Sequence, residues 1–400
     1  MMSLSPLVYR LFCVLFVISG WGCASAPPAL PRIDTLLHDE YFSSRPKEVG
    51  ADQIFAVDDS MRRYLQQEMA TPIRRLGPAN GLLDALYDRS KLKLEYDSVR
   101  TRNAAEAFAA RQGNCLSLVI MTAAFARELG LDVRFQQVHT STEWRREGSL
   151  FVTTGHVNLR LDTQPRNWAT VSSASSALVV DFLPSKEAAH AAASEISEAT
   201  VTAMFMNNRA AEALSTGDLN LAYWWAREAL RHDQRFIPAY STLAIAYSRQ
   251  SRLGTAIEVL TEALRQTPDD TVVLANQAGF LRTAGRDSDA QLLEARLHTI
   301  EPYPPYHFFL QGLAALQTAD YRQAQTLMSK DLARQPYNAE FHFGLAAVYL
   351  AQGALSDARK HLEQAHEYSI SKDHRALYSA KLEWIESQQR CRKGTCENSG

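Results

Sequence analysis

A fixed spacing constrains this chain more than any other feature. Ala222, Ala256, Ala290, Ala324 and Ala358 recur every 34 residues. Gln234, Pro268, Pro302, Pro336 and Ile370 follow in step, as do Ala210, Ala244, Ala278, Gly312 and Ala346. Gly217, Gly285 and Gly353 mark one place inside three of the units. Self-similarity at this period means a stack of supersecondary units. Small residues let two antiparallel helices approach closely. Glycine serves the turn between them, and proline, which lacks an N–H, ends the second helix. Five helix pairs are predicted over 203–372. Leu377, Leu382, Trp384 and Ile385 then lie on an amphipathic capping helix over 373–390, ahead of a polar tail, 391–400.

This pattern resembles the tetratricopeptide repeat. The resemblance implies an all-α solenoid with an extended face for a protein or peptide ligand. Glu294 and Asp331 stand where an apolar residue is usual, so those units are expected to pack less tightly. Tyr240, Tyr247, Phe308 and Tyr349 occupy packing positions of their units. Adjacent Trp224 and Trp225 cannot both face inward on one helix, so at least one is expected at a surface. No site residue is assigned in this half.

With 400 residues, 46% of them hydrophobic, the chain can build two or three packed domains. Lys+Arg 42 against Asp+Glu 44 gives a net charge of -2, which provides no overall attraction for nucleic acid. The sequence has no P-loop, G-x-G-x-x-G, H-E-x-x-H or paired C-x-x-C, so neither a metal nor another cofactor is expected.

Leu11 to Ile18 is an unbroken apolar run after Arg10, too short to span a bilayer but suited to the core of a secretory signal. Ser19-Gly20-Trp21-Gly22-Cys23 resembles the end of a bacterial lipoprotein signal, although Gly20 and Trp21 depart from it. The resemblance implies that 1–22 is a signal peptide, that Cys23 carries the lipid, and that 23–34 is a tether to the membrane. With Ala24 next, it also implies the outer membrane, facing the periplasm. Cleavage by the ordinary signal peptidase near Ala24 or Ala26 is the alternative. Cys391 and Cys396 either close a small disulfide loop in an oxidising compartment or stay free on a frayed end. Cys115 then remains as a lone thiol.

Between these regions, Asp59 to Leu94 reads as helical, with Met61, Tyr64, Leu65 and Met69, then Leu82, Leu83, Leu86 and Tyr87 at helical spacing. A short helix over 104–111 breaks at Gln112-Gly113-Asn114. Asn114 is a good N-cap, which puts Cys115 in the first turn of the next helix. Gly130 ends that helix, and Val133, Phe135 and Val138 suggest a strand. A thiol at a helix N-terminus meets the positive end of the dipole and unpaired N–H groups, which favour thiolate and can hold an oxyanion. The bland alternative is a small buried hydrophobe. In 155–161, Val157, Leu159 and Leu161 alternate with His156, Asn158 and Arg160, so the imidazole is expected to leave the apolar side. Asp181 interrupts the apolar strand 177–183 and could orient His156. A surface histidine and a turn-starting aspartate before Pro184 are the alternatives.

The segment from Tyr96 to Pro184 resembles the transglutaminase-like superfamily of the papain-like fold. The likeness lies in Arg111-x-Gly113-x-Cys115, in Ala126-Arg127-x-x-Gly130-Leu131, in His156 on a strand and in the Val180-Asp181 strand end. It implies an α+β papain-like domain over 35–200, ahead of the all-α tetratricopeptide solenoid. It also implies catalytic roles for Cys115, His156 and Asp181, with Tyr96 or Gln112 as the oxyanion donor. Asn158 stands where a tryptophan is common, and 163–177 looks like an inserted loop. His139 ranks below His156, since no acidic strand follows it at once. Such a site attacks an amide carbonyl, forms an acyl-enzyme, and passes the acyl group to water or an amine. The expectation is therefore an exported lipoprotein whose thiol amidase, peptidase or acyl-transfer site acts on a protein or peptide held by the solenoid. The alternative is a catalytically inactive envelope scaffold that binds protein partners through its repeats.

Overall fold

The computed structural model describes residues 33–87, 92, 94–97, 100–147, 150–162, 177–182, 192–369 and 372–392. The signal, the tether up to residue 32 with Cys23, the inserted loop up to residue 176 and Cys396 lie outside them, as does the Cys391 side chain; Ile33, expected in the tether, is instead buried in the core.

The helical stretch after Asp59 divides into three short helices, α1 (Asp59–Gln67), α2 (Ala70–Leu76) and α3 (Pro78–Tyr87). Gly77, at φ 82°, and Pro78 force the second break. A two-residue strand β1 (Glu95–Tyr96) pairs in parallel with β2 (Gln112–Gly113). Between them runs α4 (Ala104–Ala110), opened by a capping box of Asn103 and Glu106. Helix α5 (Cys115–Glu128) is buried from Leu116 to Ala126, as its nearly continuous apolar sequence requires. It touches α3, α4 and an antiparallel sheet of order β5-β4-β3-β6. The strands are β3 (Asp132–Glu147), β4 (Leu150–Asp162), β5 (Leu178–Val180) and β6 (Ala193–Ile196).

Strand β3 extends well past Val138, the last strand residue the sequence suggested. Its register with β4 shifts between Val138, opposite His156, and Glu143, opposite Thr154. This bulge separates an inner half of the hairpin, inside the sheet, from an outer arm.

Five antiparallel helix pairs follow: α6 (Glu198–Ser215) with α7 (Leu219–His232), α8 (Ile237–Arg249) with α9 (Leu253–Gln266), α10 (Thr271–Thr283) with α11 (Asp287–Ile300), α12 (His307–Gln317) with α13 (Tyr321–Arg334), and α14 (Ala339–Ala351) with α15 (Leu355–Tyr368). Helix α16 (Lys372–Arg392) packs on the last pair. This is a tetratricopeptide-like solenoid. The alanines of the 34-residue series are fully buried where paired helices meet. The intra-pair turn needs a left-handed residue. Gly217, Gly285 and Gly353 supply it in three units, and Ser251 (φ 59°) and Ala319 (φ 60°) in the other two.

The two substitutions that break the repeat pattern find separate solutions. Glu294 is half-buried and paired with Arg282. Asp331 is 1% exposed, yet it accepts a hydrogen bond from the Phe309 N–H at 2.8 Å. Tyr306 offers α12 no side-chain cap, so a carboxylate from the neighbouring helix does that work.

The expectation that Trp224 or Trp225 reaches a surface is corrected: both are buried. Trp225 lies against Phe205, while Trp224 donates to the Ser43 carbonyl at 2.8 Å under the Arg227 guanidinium. The cover comes from residues 33–45, outside the repeats. There Phe42 stacks on Tyr223 at 3.9 Å, Asp39 accepts from Tyr223 and Arg227, and the Tyr247 hydroxyl joins the Leu36 carbonyl to the His38 N–H. One hydrophobic core consequently runs from Ile33 through α5 and the sheet into the third repeat.

Candidate active site

The start of α5 is fixed by its cap. The Asn114 carboxamide oxygen accepts from the Ser117 N–H at 2.8 Å, and its nitrogen donates to Thr101 Oγ1 at 2.9 Å. Ser117 Oγ accepts from the Arg102 N–H, also at 2.8 Å. A Cβ at position 113 would meet Ser117 Cβ at 2.7 Å, so the turn before the cysteine accepts only glycine. With Ser117 and Leu118 N–H groups satisfied by Asn114, those of Cys115 and Leu116 are the free donors of the first turn among the described residues. Cys115 itself is half-buried and unpaired with another cysteine.

Strand β4 brings His156 to this point. Val157, Leu159 and Leu161 enter the apolar core, while His156 and Asn158, each 5% exposed, turn together to Asp181. His156 Nε2 bonds both oxygens of Asp181, at 2.8 and 2.9 Å. Asp181 follows directly on β5, the neighbouring strand. Its carboxylate also accepts from Asn158 Nδ2 at 3.1 Å. The Tyr87 hydroxyl donates to the Asp181 carbonyl at 2.8 Å and accepts from its N–H at 3.2 Å.

Burial alone would hold the His156 ring neutral. The Asp181 hydrogen bonds and the nearby Cys115 thiol outweigh it and push the pKa up to about 9. Since a carboxylate occupies Nε2, the buried Nδ1, which makes no hydrogen bond among the described residues, is the ring atom left to serve the sulfur. Ring, carboxylate and thiol thus form one electrostatic cluster. Such a cluster can keep a proton on the imidazole at neutral pH and return it to a leaving group.

Of the two oxyanion candidates, Gln112 is half-buried on β2 and the Tyr96 side chain is outside the described residues. His139 is exposed and meets Ser194 Oγ at 2.9 Å. Tyr87 and Asn158 were not expected to touch the aspartate. Asn158 was legible only as a polar residue on an apolar strand, and Tyr87 only as one face of a helix. Among the described residues no group of three or more His, Cys, Asp or Glu side chains could hold a metal ion, and no helix is long and apolar enough to cross a membrane.

The tetratricopeptide repeat family matches residues 315–368, within the last two helix pairs. No curated protein matches the chain in sequence. Among solved structures, a thermophilic TPR protein of Thermus thermophilus is 18% identical. It covers 45% of this chain and 98% of its own, with a TM-score of 0.33. For pilF of Pseudomonas aeruginosa the values are 19%, 48%, 88% and 0.32. For MamA from Desulfovibrio magneticus RS-1 they are 18%, 43%, 97% and 0.25. Repeats of this type suit a protein-interaction scaffold, since their stacked helices present an extended surface.

Proposed function

We propose that this chain is a protein-binding scaffold that also carries a cysteine–histidine–aspartate thiol site. In this reading Cys115 is the nucleophile, His156 the proton carrier and Asp181 the group that orients it. The N–H groups of Cys115 and Leu116 receive the oxyanion, with Gln112 or Tyr96 as a further donor. The chemistry is amide cleavage or acyl transfer on a protein or peptide, in a papain-like α+β domain. The observation that carries it is the bidentate Asp181 contact on Nε2 of a ring that also interacts with the Cys115 thiol. Labelling the folded chain with a thiol-directed electrophile tests it. Cys115 should react faster at neutral pH than the same residue in the denatured chain. Equal rates defeat the thiol site.

A second reading is favoured by the repeat match: the chain binds protein partners and performs no chemistry. Helices α7, α8 and α10 already hold segments of the chain itself. In this reading the partner surface lies on the distal pairs near exposed Leu310 and Tyr337, beside the place where Tyr306 holds Phe151. Cys115→Ala separates the readings. Full function in cells with intact folding supports the scaffold alone, and loss supports the site. Attachment to the outer membrane through Cys23 belongs to the same proposal, and intact mass of the mature N-terminus tests it.

A further inference from the structure

The strand that bears His156 is held at its other end by the solenoid. Asn276, on α10 and 2% exposed, donates through Nδ2 to the Phe151 carbonyl at 2.7 Å. Its Oδ1 accepts from the Phe151 N–H at 2.8 Å. One carboxamide therefore satisfies both backbone groups of a residue 125 positions away. The Phe151 ring lies 5.6 Å from Tyr306, against the apolar cluster that includes Val272, Phe309 and Phe341.

Phe151 and His156 lie on the same strand, five residues or roughly 17 Å apart. Between them is the bulge, where β3 residues 139–142 leave Gly155 without a ladder partner. His156 is thus the first residue paired on the inner side of that irregularity. A bulge bends a strand and re-aims the side chains beside it, so the direction of the outer arm is an input to where the imidazole points. Sheet pairing fixes His156 from one side, and Asn276 fixes the arm from the other.

We propose that Asn276 is a positioning residue for His156, which makes the third repeat part of the frame of the thiol site. The inference rests on the thiol-site reading above. It gives the solenoid a role beyond partner binding, because a change at α10 is transmitted along one continuous strand to the imidazole.

The test is an NMR titration of ring-labelled histidine in the full chain, with the His156 signal assigned by His156→Gln. Wild type should titrate near pH 9. In Asn276→Ala the midpoint should fall by at least one unit, and Cys115 labelling should slow severalfold. Phe151→Ala, which loosens the arm through its apolar contact instead, should shift the midpoint in the same direction. Ile385→Ala loosens α16 at the distal end, in an apolar cluster that does not include Phe151, and should leave the signal at its wild-type position. An unchanged midpoint in both Asn276→Ala and Phe151→Ala overturns the inference while the thiol site stands. An equal shift in Ile385→Ala overturns it too, as general loosening. A wild-type midpoint near that of a free histidine removes the thiol site itself and the inference with it.

Discussion

Asp181 grips His156 with both carboxylate oxygens on a single ring nitrogen, Nε2, at 2.8 and 2.9 Å. The contact exists only in the folded chain and favours the charged ring. A histidine whose folded pKa is raised contributes stability that is fully present below its unfolded value, near 6.5. That stability is lost as pH rises through about 9. Asp181→Asn should therefore lower stability at pH 6 by up to about 3 kcal/mol, since the Cys115 thiol supplies part of the shift. The difference from wild type should shrink towards pH 10. Denaturant midpoints of both proteins across this range measure it, and a pH-independent difference contradicts the charged pair.

The intra-pair turns of units two and four use Ser251 and Ala319 in a left-handed conformation that L-residues adopt at a cost of about 1 kcal/mol. Glycine occupies the same place in the other three units. Ala319→Gly and Ser251→Gly should each raise the thermal midpoint, by up to about 1 kcal/mol in stability, and their effects should add because the turns are far apart. A fall in midpoint for both variants would refute the strain.

Asp331 is a carboxylate inside the fourth unit that serves as the missing cap of α12 and pairs with Arg334 at 3.2 Å. Asp331→Ala leaves the buried Phe309 N–H without an acceptor, at a cost of about 1–3 kcal/mol. Hydrogen exchange at Phe309 should accelerate more than at Ala222 in the first unit. Uniform acceleration would argue against a local capping role.

Asp39 anchors residues 33–45 to α7 through Tyr223 and Arg227. Burial would raise its pKa, but the Arg227 guanidinium and the Tyr223 hydroxyl lower it below the usual carboxylate range. Asp39→Ala should expose Trp224 and make the segment sensitive to protease, read as new cleavage between Leu36 and Arg45. Protection equal to wild type would show that the Phe42–Tyr223 stack suffices.

The repeats were legible because their information is periodic. Small residues at a fixed interval report helix contacts that lie within one unit, so Ala222 and its successors could be read without knowing anything distant. The turn before Cys115 was legible for a similar reason, since Gly113 and Asn114 act on their neighbours. The order of Cys115, His156 and Asp181 could be read, but not the bidentate contact, because it depends on which strands pair. Least legible were the places where one half of the chain covers the other. Nothing in Trp224 announces that Ser43 will accept its N–H, 181 positions earlier. The outer arm was missed because His139 to Glu147 is too polar to look like a strand, and the Asn276 contacts that hold its partner strand come from far along the chain.

Repeat arrays ordinarily grow or shrink by whole units at either end, since each unit answers only to its neighbours. The carboxamide at position 276 changes that arithmetic. Removing or inserting a unit ahead of it would carry the hairpin's anchor to another height and angle, so the first three units are tied in number to the sheet. The Phe151 contact with Tyr306 extends the tie to the start of the fourth unit, and only beyond it, towards α16, is the array free to vary in length. Natural diversification of such a chain is therefore expected at the distal end, with the proximal units inherited as a block.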